Sequence, residues 1–406
     1  MFKPYRSILI QFAAACLILW AVTATPWRAG RGQNPPAPQQ RDQTLKGGLS
    51  NGIFDWQFPG KGEEYGYDEK KWWGGFPKDF DPAKYRVPDW IIGPFTKYPG
   101  NPIMEPTSGS WDRGHYGGGV HNGSVLVVDG QFWYVYRGER ELDRKPGYIC
   151  DIGLATSKDG IHFTKDTAHS PFFGKGKDKN FSFEDVCLVR YKGKYYLFCN
   201  VWDWTRAEDP KASGAFLATS KDLVHWTKRG LIFPRASEIH RNPVVLQSPN
   251  NEAVKANGKF VMYLDSGLLA YSGDLIHWTS KKVVHPWPGG ENCVALADWN
   301  PKHLNNILLF TAGPHSGHFY GVGEVLLDRN DPEKAIEWLP RPIFCAEAKY
   351  PWEDGKAAKP PHQPVSMFHD TIFFTGLTRH DGEWWMYYGG SEYYTCLANA
   401  PAAATK

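Results

Sequence analysis

The amino-acid sequence predicts an all-β fold, a five-bladed β-propeller carrying an irregular N-terminal extension. Three observations lead to it: a strand hairpin that recurs five times after residue 120, a shorter segment that recurs three times between hairpins, and a composition of 42 Gly, 31 Pro and 15% aromatic residues among 406. Such a composition is too aromatic for a disordered chain and too punctuated for a helical bundle. It fits many short strands joined by turns. Most of the 18 Trp and 20 Tyr are then strand and core residues, although both types also suit stacking against sugar rings.

The five hairpins are GSVLVVDGQFWYVYRG (123–138), EDVCLVRYKGKYYLFCN (184–200), NPVVLQSPNNEAVKANGKFVMYLD (242–265), NCVALADWNPKHLNNILLFTAG (292–313) and TIFFTGLTRHDGEWWMYYGG (371–390). Their turns centre on Gly130, Gly193, Gly258, Asn306 and Gly382, residue types that supply the positive φ of tight hairpins. A third element follows the first three hairpins: GLATSKDGIHFTK (153–165), FLATSKDLVHWTK (216–228) and LLAYSGDLIHWTS (268–280) each carry a strand, a Ser-x-Asp turn and an aromatic residue opening another strand. Blade four continues as GVGEVLLD (321–328) and the chain closes with TCLANA (395–400). Three or four strands per unit at a period of about 60 residues fit a radial propeller. A stacked sandwich would not explain the repeated Ser-x-Asp segment.

Ahead of the propeller, expected over 95–400, three pieces are expected. Residues 1–24 read as an export signal: Lys3 and Arg6, an apolar run from Ile8 to Ala24 broken by Gln11, and the small residues that end it. The run is short for a membrane span, with an uncleaved anchor as the alternative. Residues 25–50 read as a polar disordered linker and 51–94 as an aromatic, irregular extension. The expected location is secreted or periplasmic, with no membrane association beyond that segment. Cys16 leaves with the signal, and the six cysteines that remain show no zinc-binding spacing, so they are expected to be buried small residues. With 46 basic and 43 acidic residues the chain lacks the basic excess of a nucleic-acid binder. No metal or cofactor is expected.

In a propeller the first strand of each blade lines the central channel, so polar residues at the starts of those strands converge. Here they are His121-Asn122, Glu184-Asp185, Arg241-Asn242, Glu291-Asn292 and His369-Asp370. One such pair alone would be a solvated loop end. Five in register, rich in carboxylates and amides, point to a sugar site, and paired carboxylates are the minimum equipment for cleaving a glycosidic bond.

From about Asn101 to Ala400 the sequence resembles glycoside hydrolase family 130, a family of five-bladed propellers that contains β-mannoside phosphorylases and β-mannosidases. The matching stretches are NPIMEP (101–106), WDRGHYGGGVHNG (111–123), GLATSKDGIHF, FEDVCLVRYKGKYYLF, HRNPVVL (240–246), YSGDLIHW, YGVGEVLLDRNDPEK (320–334) and WWMYYGGSEYYTCLA (384–398). The resemblance implies that Asp185 is the proton donor, although the family's Asp-Pro-Arg motif reads Asp185-Val186-Cys187 here. It implies that Arg241-Asn242 matches a phosphate-binding pair. Where family phosphorylases place a further Arg, a Lys and a His, this chain has Asp265, Glu291 and Thr311-Ala312-Gly313, with His315 nearby. Glu392 stands for the carboxylate of the closing motif.

A phosphate dianion needs cationic donors. Asp265 and Glu291 in place of cations predict a pocket that repels phosphate and uses a carboxylate as base, hence an exported glycoside hydrolase acting on β-mannoside-type oligosaccharides with inversion. Glu291 is the first candidate for the base and Asp265 the reserve, pairing with Arg241 being its other role. His121, Asn122, Glu184, Glu238, Arg241, Asn242, His315, Asp370 and Glu392 are the expected substrate-binding residues. The alternatives are a phosphorylase of the same family, an arabinanase- or invertase-like hydrolase with Glu238 as its acid, and a non-catalytic sugar-binding propeller in which Asp185 merely holds hydroxyls.

Overall fold

The computed structural model describes residues 87–114, 118–141, 148–174, 180–203, 213–233, 240–285, 287, 290–313, 321–339, 342–347, 350–354 and 371–402. The signal, the linker and most of the extension expected over 1–94 lie outside them, as do Glu238, His315 and Asp370.

A short strand, β1 (Thr96–Lys97), precedes five antiparallel blades. Blade one holds β2 (Val120–Val128), β3 (Gln131–Glu141), β4 (Tyr148–Ser157) and β5 (Thr164–Lys165). Blade two holds β6 (Phe181–Tyr191), β7 (Lys194–Asp203), β8 (Ser213–Ser220) and β9 (Trp226–Leu231). Blade three holds β10 (Val244–Gln247), β11 (Lys255–Ala256), β12 (Lys259–Leu264), β13 (Leu268–Ser272) and β14 (Trp278–Lys282). Blade four holds β15 (Glu291–Leu296), β16 (Asn306–Gly313), β17 (Gly321–Asp328) and β18 (Ala335–Trp338), with β19 (Phe344–Cys345) added on β17. Blade five holds β20 (Ile372–His380), β21 (Glu383–Gly390) and β22 (Tyr394–Pro401).

The inner strands form a closed ring in which β2, β6, β10, β15 and β20 each pack against the next and β20 returns to β2. Because each blade is covered on both faces, its strands are apolar on both sides, as the hairpin sequences show. Leu126, Val135, Leu188 and Leu197 fill the layer between blades one and two. Val245, Phe198, Met262 and Leu217 fill the next, and Val125, Tyr134, Tyr387 and Leu397 join blade five to blade one. The ring is closed by the N-terminal side: β1 pairs with β22 as the outermost strand of blade five, Thr96 opposite Asn399 and Lys97 opposite Ala398. Lys97 Nζ then reaches Glu353 Oε2 at 2.6 Å and the Cys345 carbonyl at 2.7 Å, both buried.

Local chemistry explains the repeats. Asp129-Gly130, Lys192-Gly193, Asn257-Gly258 and Asp381-Gly382 all have positive φ at both residues, the geometry of two-residue hairpin turns. Blade four departs from the expectation: Asn306 is the first residue of β16, and the positive φ of that connection falls on Asp298. The NPKHLNN insertion makes it a longer loop, so no tight turn is needed there. The repeated segment is the connection from third to fourth strand. In blade one the Ser157 hydroxyl donates to Asp159 Oδ1 at 2.8 Å and accepts the Gly160 N–H, while Asp159 accepts the His162 N–H and bonds its ring Nδ1 at 2.7 Å. Ser220, Asp222 and His225 repeat this, as do Ser272, Asp274 and His277. The segment therefore recurs as a self-satisfied surface turn, its histidines exposed. Cys150, Cys187, Cys199, Cys293, Cys345 and Cys396 are buried, and none forms a disulfide with another described residue.

Candidate active site at the start of the inner strands

The inner strands are irregular where they meet the channel mouth. β2 bulges between His121 and Ser124, β6 between Glu184 and Cys187, and β15 between Asn292 and Val294. Asn122, Asp185 and Asn242 adopt left-handed backbone, with φ of 46°, 52° and 45°. Asn and Asp tolerate this conformation better than other side chains. A bulge leaves its extra residue unpaired in the ladder and re-aims its side chain. The Asn122 and Asp185 side chains meet at two such bulges, and Asn242, just ahead of β10, joins them through Asn200.

They form a continuous hydrogen-bonded chain across three blades. Asn122 Nδ2 donates to Asp185 Oδ1 at 3.0 Å, and Asn200 Nδ2 donates to Asp185 Oδ2 at 3.1 Å and to Asn242 Oδ1 at 2.8 Å. Asn242 donates its backbone N–H to Asn200 Oδ1 at 2.7 Å and its Nδ2 to Asp265 Oδ2 at 2.9 Å. Arg137 Nη1 lies 3.4 Å from Asp185 Oδ1. Asp185 is thus buried with donors on both carboxyl oxygens. Glu184, its neighbour in sequence, turns elsewhere: its Oε1 accepts from Ser182 Oγ at 3.3 Å and Cys150 Sγ at 3.6 Å.

Beside this chain lie Arg241, Asp265 and Glu291. The Arg241 guanidinium sits 5.4 Å from the Trp202 ring centroid, and its buried Nε has no hydrogen-bond partner among the described residues. Burial opposes its charge, yet Glu291 and Asp265 outweigh this and hold Arg241 firmly protonated. Asp265 follows β12 as the first residue of a short 3-10 turn, donates its backbone N–H to the Arg241 carbonyl at 3.0 Å, and leaves Oδ1 unpartnered among the described residues. Burial first, then the Glu291 charge, push its carboxyl well above the usual carboxylate range, against the pull of Arg241 and Asn242. Glu291 begins β15 and is half-buried.

Blade one supplies an ionic group on the other side of Asp185. Glu139 Oε1 lies 2.5 Å from Arg137 Nη2 and 3.1 Å from His121 Nε2, all three residues buried. Glu392 stands in the turn between β21 and β22, where Ser391 and Glu392 both have positive φ without being glycine. Burial pushes its carboxyl up to about 7; His121 and Arg137 pull it down, Glu139 and Asp185 raise it further. Non-glycine residues in such conformations concentrate at functional sites.

The structure therefore brings His121, Asn122, Glu184, Asp185, Arg241, Asn242, Asp265, Glu291 and Glu392 to one end of the channel. Two site residues escaped the sequence analysis, Asn200 and Arg137, together with the Arg137 partner Glu139. Arg137, Asn200 and Asp265 occupy the same register, each two residues beyond the partner of the inner strand: Val135 opposite Ser124, Phe198 opposite Cys187, Tyr263 opposite Val244. A signal existed, since the aligned hairpins end in a polar column, but attention to first strands alone passes over it. No cluster of three His, Cys, Asp or Glu able to hold a metal ion occurs among the described residues.

A family model described as beta-1,4-mannooligosaccharide phosphorylase matches residues 102–404. The chain is 28% identical over 304 residues to a 1,2-beta-oligomannan phosphorylase of Thermoanaerobacter sp., covering 71% of this chain and 91% of that protein. It is 24% identical over 327 residues to a beta-1,2-mannobiose phosphorylase of the same organism, covering 75% of this chain and 96% of that protein. One solved structure superimposes with a TM-score of 0.63 at 23% identity, over 79% of this chain and 98% of the other; it is described as showing that a family of mannoside phosphorylases contains hydrolases targeting beta-1,2 mannosidic linkages in Candida mannan. At that identity the likeness bears on the fold alone.

Proposed function

The chain belongs to glycoside hydrolase family 130, and from that premise we propose that it cleaves β-mannosidic bonds of oligosaccharides, with Asp185 as proton donor and inorganic phosphate as acceptor. The observation that carries the acid role is the setting of Asp185, turned out of its strand by a left-handed backbone into the polar end of the channel. Asp185 gives its proton to the departing sugar oxygen as the bond to the anomeric carbon breaks. The carboxylate left behind is met by donors from Asn122, Asn200 and Arg137. A phosphate oxygen attacks the anomeric carbon from the opposite face, which inverts its configuration and yields a mannose 1-phosphate.

Phosphate as acceptor is supported by the two phosphorylases among the relatives and departs from the hydrolysis expected from sequence. That expectation counted Asp265 and Glu291 as two negative charges. Burial and Glu291 favour the protonated form of Asp265, which reduces the repulsion. Arg241 keeps its charge beside them. Hydrolysis with inversion stays as the second reading, favoured by the carboxylate of Glu291 at the start of an inner strand, where it would activate water. Product analysis on β-1,2- and β-1,4-mannobiose distinguishes them. Phosphorolysis requires mannose 1-phosphate and a rate that rises with phosphate; free mannose at a rate indifferent to phosphate would overturn it in favour of Glu291-assisted hydrolysis. Export to the periplasm or medium is proposed from the N-terminal apolar run, and a mature N-terminus just after Ala24 would support it.

A further inference from the structure

Arg137 is the cation set directly against Asp185, and its hold on that place comes from elsewhere. Its Nη1 lies 3.4 Å from Asp185 Oδ1, a long contact between two blades. Its Nη2 lies 2.5 Å from Glu139 Oε1, within one strand. The shorter contact fixes the guanidinium, and the longer one follows from where the guanidinium is held. Among the described residues these two carboxylates are its partners, and its buried Nε has none. Burial opposes the Arg137 charge, and the acidic groups around it, Glu139, Glu184 and Asp185, outweigh this; Glu392 adds to the same field. Arg137, Glu139 and Asp185 are all buried, so solvent and salt screen their attraction little.

The local structure around Glu139 is rigid. Arg137 and Glu139 are two apart in β3, so their side chains leave the same face of the strand. Gly138 between them faces the other way, where a Cβ would fall 2.6 Å from the Trp111 ring and 2.8 Å from Asp112 Cβ. The Glu139 peptide is held on both sides: its N–H donates to the Gly119 carbonyl at 2.9 Å, and its carbonyl accepts the Gly114 N–H at 2.8 Å. His121 stands opposite Arg137 in the ladder, and its Nε2 meets the same Glu139 Oε1 at 3.1 Å. Glu139 is 2% exposed, which leaves it no surface to offer a sugar. His121 is completely buried as well. The route from Glu139 to the reacting end of the site therefore runs through Arg137.

We propose that Glu139 is a positioning residue of the proton donor: by anchoring Arg137 it fixes the Asp185 carboxyl at the end of the channel, without touching the sugar. The inference rests on the acid role of Asp185 proposed above, whichever acceptor follows. A proton donor matters in proportion to the basicity of the departing oxygen. A sugar alkoxide needs the proton, and a 2,4-dinitrophenolate leaves without it. The test is kcat and KM of the full chain in phosphate buffer on β-1,2- and β-1,4-mannobiose and on 2,4-dinitrophenyl β-mannoside. The variants are Glu139→Gln, Arg137→Met and the two combined, with circular dichroism to verify folding. A misplacement of about 1 Å costs up to about a hundred-fold, so Glu139→Gln should lower kcat on mannobiose about ten-fold or more. KM should stay within about two-fold, and turnover of the aryl mannoside within about three-fold of wild type. The combined variant should be no slower than Arg137→Met alone, because the two residues act as one unit. That comparison also decides the matter if Glu139→Gln leaves Arg137 unpaired and unfolds the chain, since the combined variant removes both charges. It decides likewise if the wild type takes mannobiose but not the aryl mannoside. Equal losses on both kinds of substrate, mannobiose turnover within about three-fold of wild type in folded Glu139→Gln, or a combined loss equal to the product of the single losses would each overturn the proposal while leaving the function standing. A wild-type chain that cleaves none of these mannosides overturns the function proposed above, and this inference with it.

Discussion

Asn200→Ala should separate the positioning of Asp185 from its mere presence. Asn200 is completely buried, and its amide touches no exposed surface. Its Nδ2 is shared between Asp185 Oδ2 at 3.1 Å and Asn242 Oδ1 at 2.8 Å, and its Oδ1 receives the Asn242 N–H at 2.7 Å. Truncation removes all three and leaves a carboxylate oxygen and a backbone N–H to find other partners. A hydrogen bond to a charged group contributes about 1.5–3 kcal/mol and an unmatched buried group costs about 1–3 kcal/mol. If about 2 kcal/mol of this appears in the transition state, kcat falls about thirty-fold. Denaturant unfolding should show a loss of similar size. The assay is kcat and KM, with Asn200→Asp as a companion that keeps the acceptor for the Asn242 N–H but sets a second carboxylate against Asp185. A folded Asn200→Ala protein with kcat within three-fold of wild type would refute the positioning role.

Three further outcomes are expected. Asp185→Asn should fold with a lowered denaturant midpoint, since its amide NH2 must face a buried donor from Asn122 or Asn200, and should lose at least a hundred-fold in turnover, the usual scale of a missing general acid; full turnover would leave only the sugar-holding role. Glu392, whose carboxyl is raised to about 7, stabilises the fold most below its ordinary 4.5 and loses that contribution as pH rises through about 7; the unfolding midpoint should therefore drop between pH 5 and pH 8 more in wild type than in Glu392→Gln, and equal drops would contradict it. Gly193→Ala meets no atom within 4 Å but must hold φ of 71°, so it should destabilise by about 1 kcal/mol from backbone strain alone, whereas Gly123→Ala, whose Cβ would fall 2.5 Å from the Tyr134 ring, should cost more; urea unfolding of both variants measures the difference.

Local periodicity and turn chemistry are written along the chain, and they were legible there. Gly130, Gly193, Gly258 and Gly382 marked four hairpins because only a residue tolerant of positive φ can close a two-residue turn. The Ser-x-Asp segment marked the outer strands because its hydrogen bonds close within a few residues. The starts of the inner strands, and with them Asp185, followed from the order of strands alone. Tertiary structure decided the rest, because contacts across blades join residues far apart in sequence. Asn122 and Asp185 meet although 63 positions separate them, and Asn200 and Asn242 although 42 do. Neighbours in sequence part in space at Glu184, whose side chain turns to Ser182 and Cys150 and not to Asp185. The electrostatic setting of Asp265 was not legible either, because burial and the Glu291 charge, which push its carboxyl upward, depend on the folded neighbours and not on residue identity. The cavity on the flank of blade one, lined in part by Trp111 and Phe163, could not have been read from the chain at all: it exists only where β5, β3 and the segment 103–112 are folded against each other, and a void has no residue of its own in the sequence.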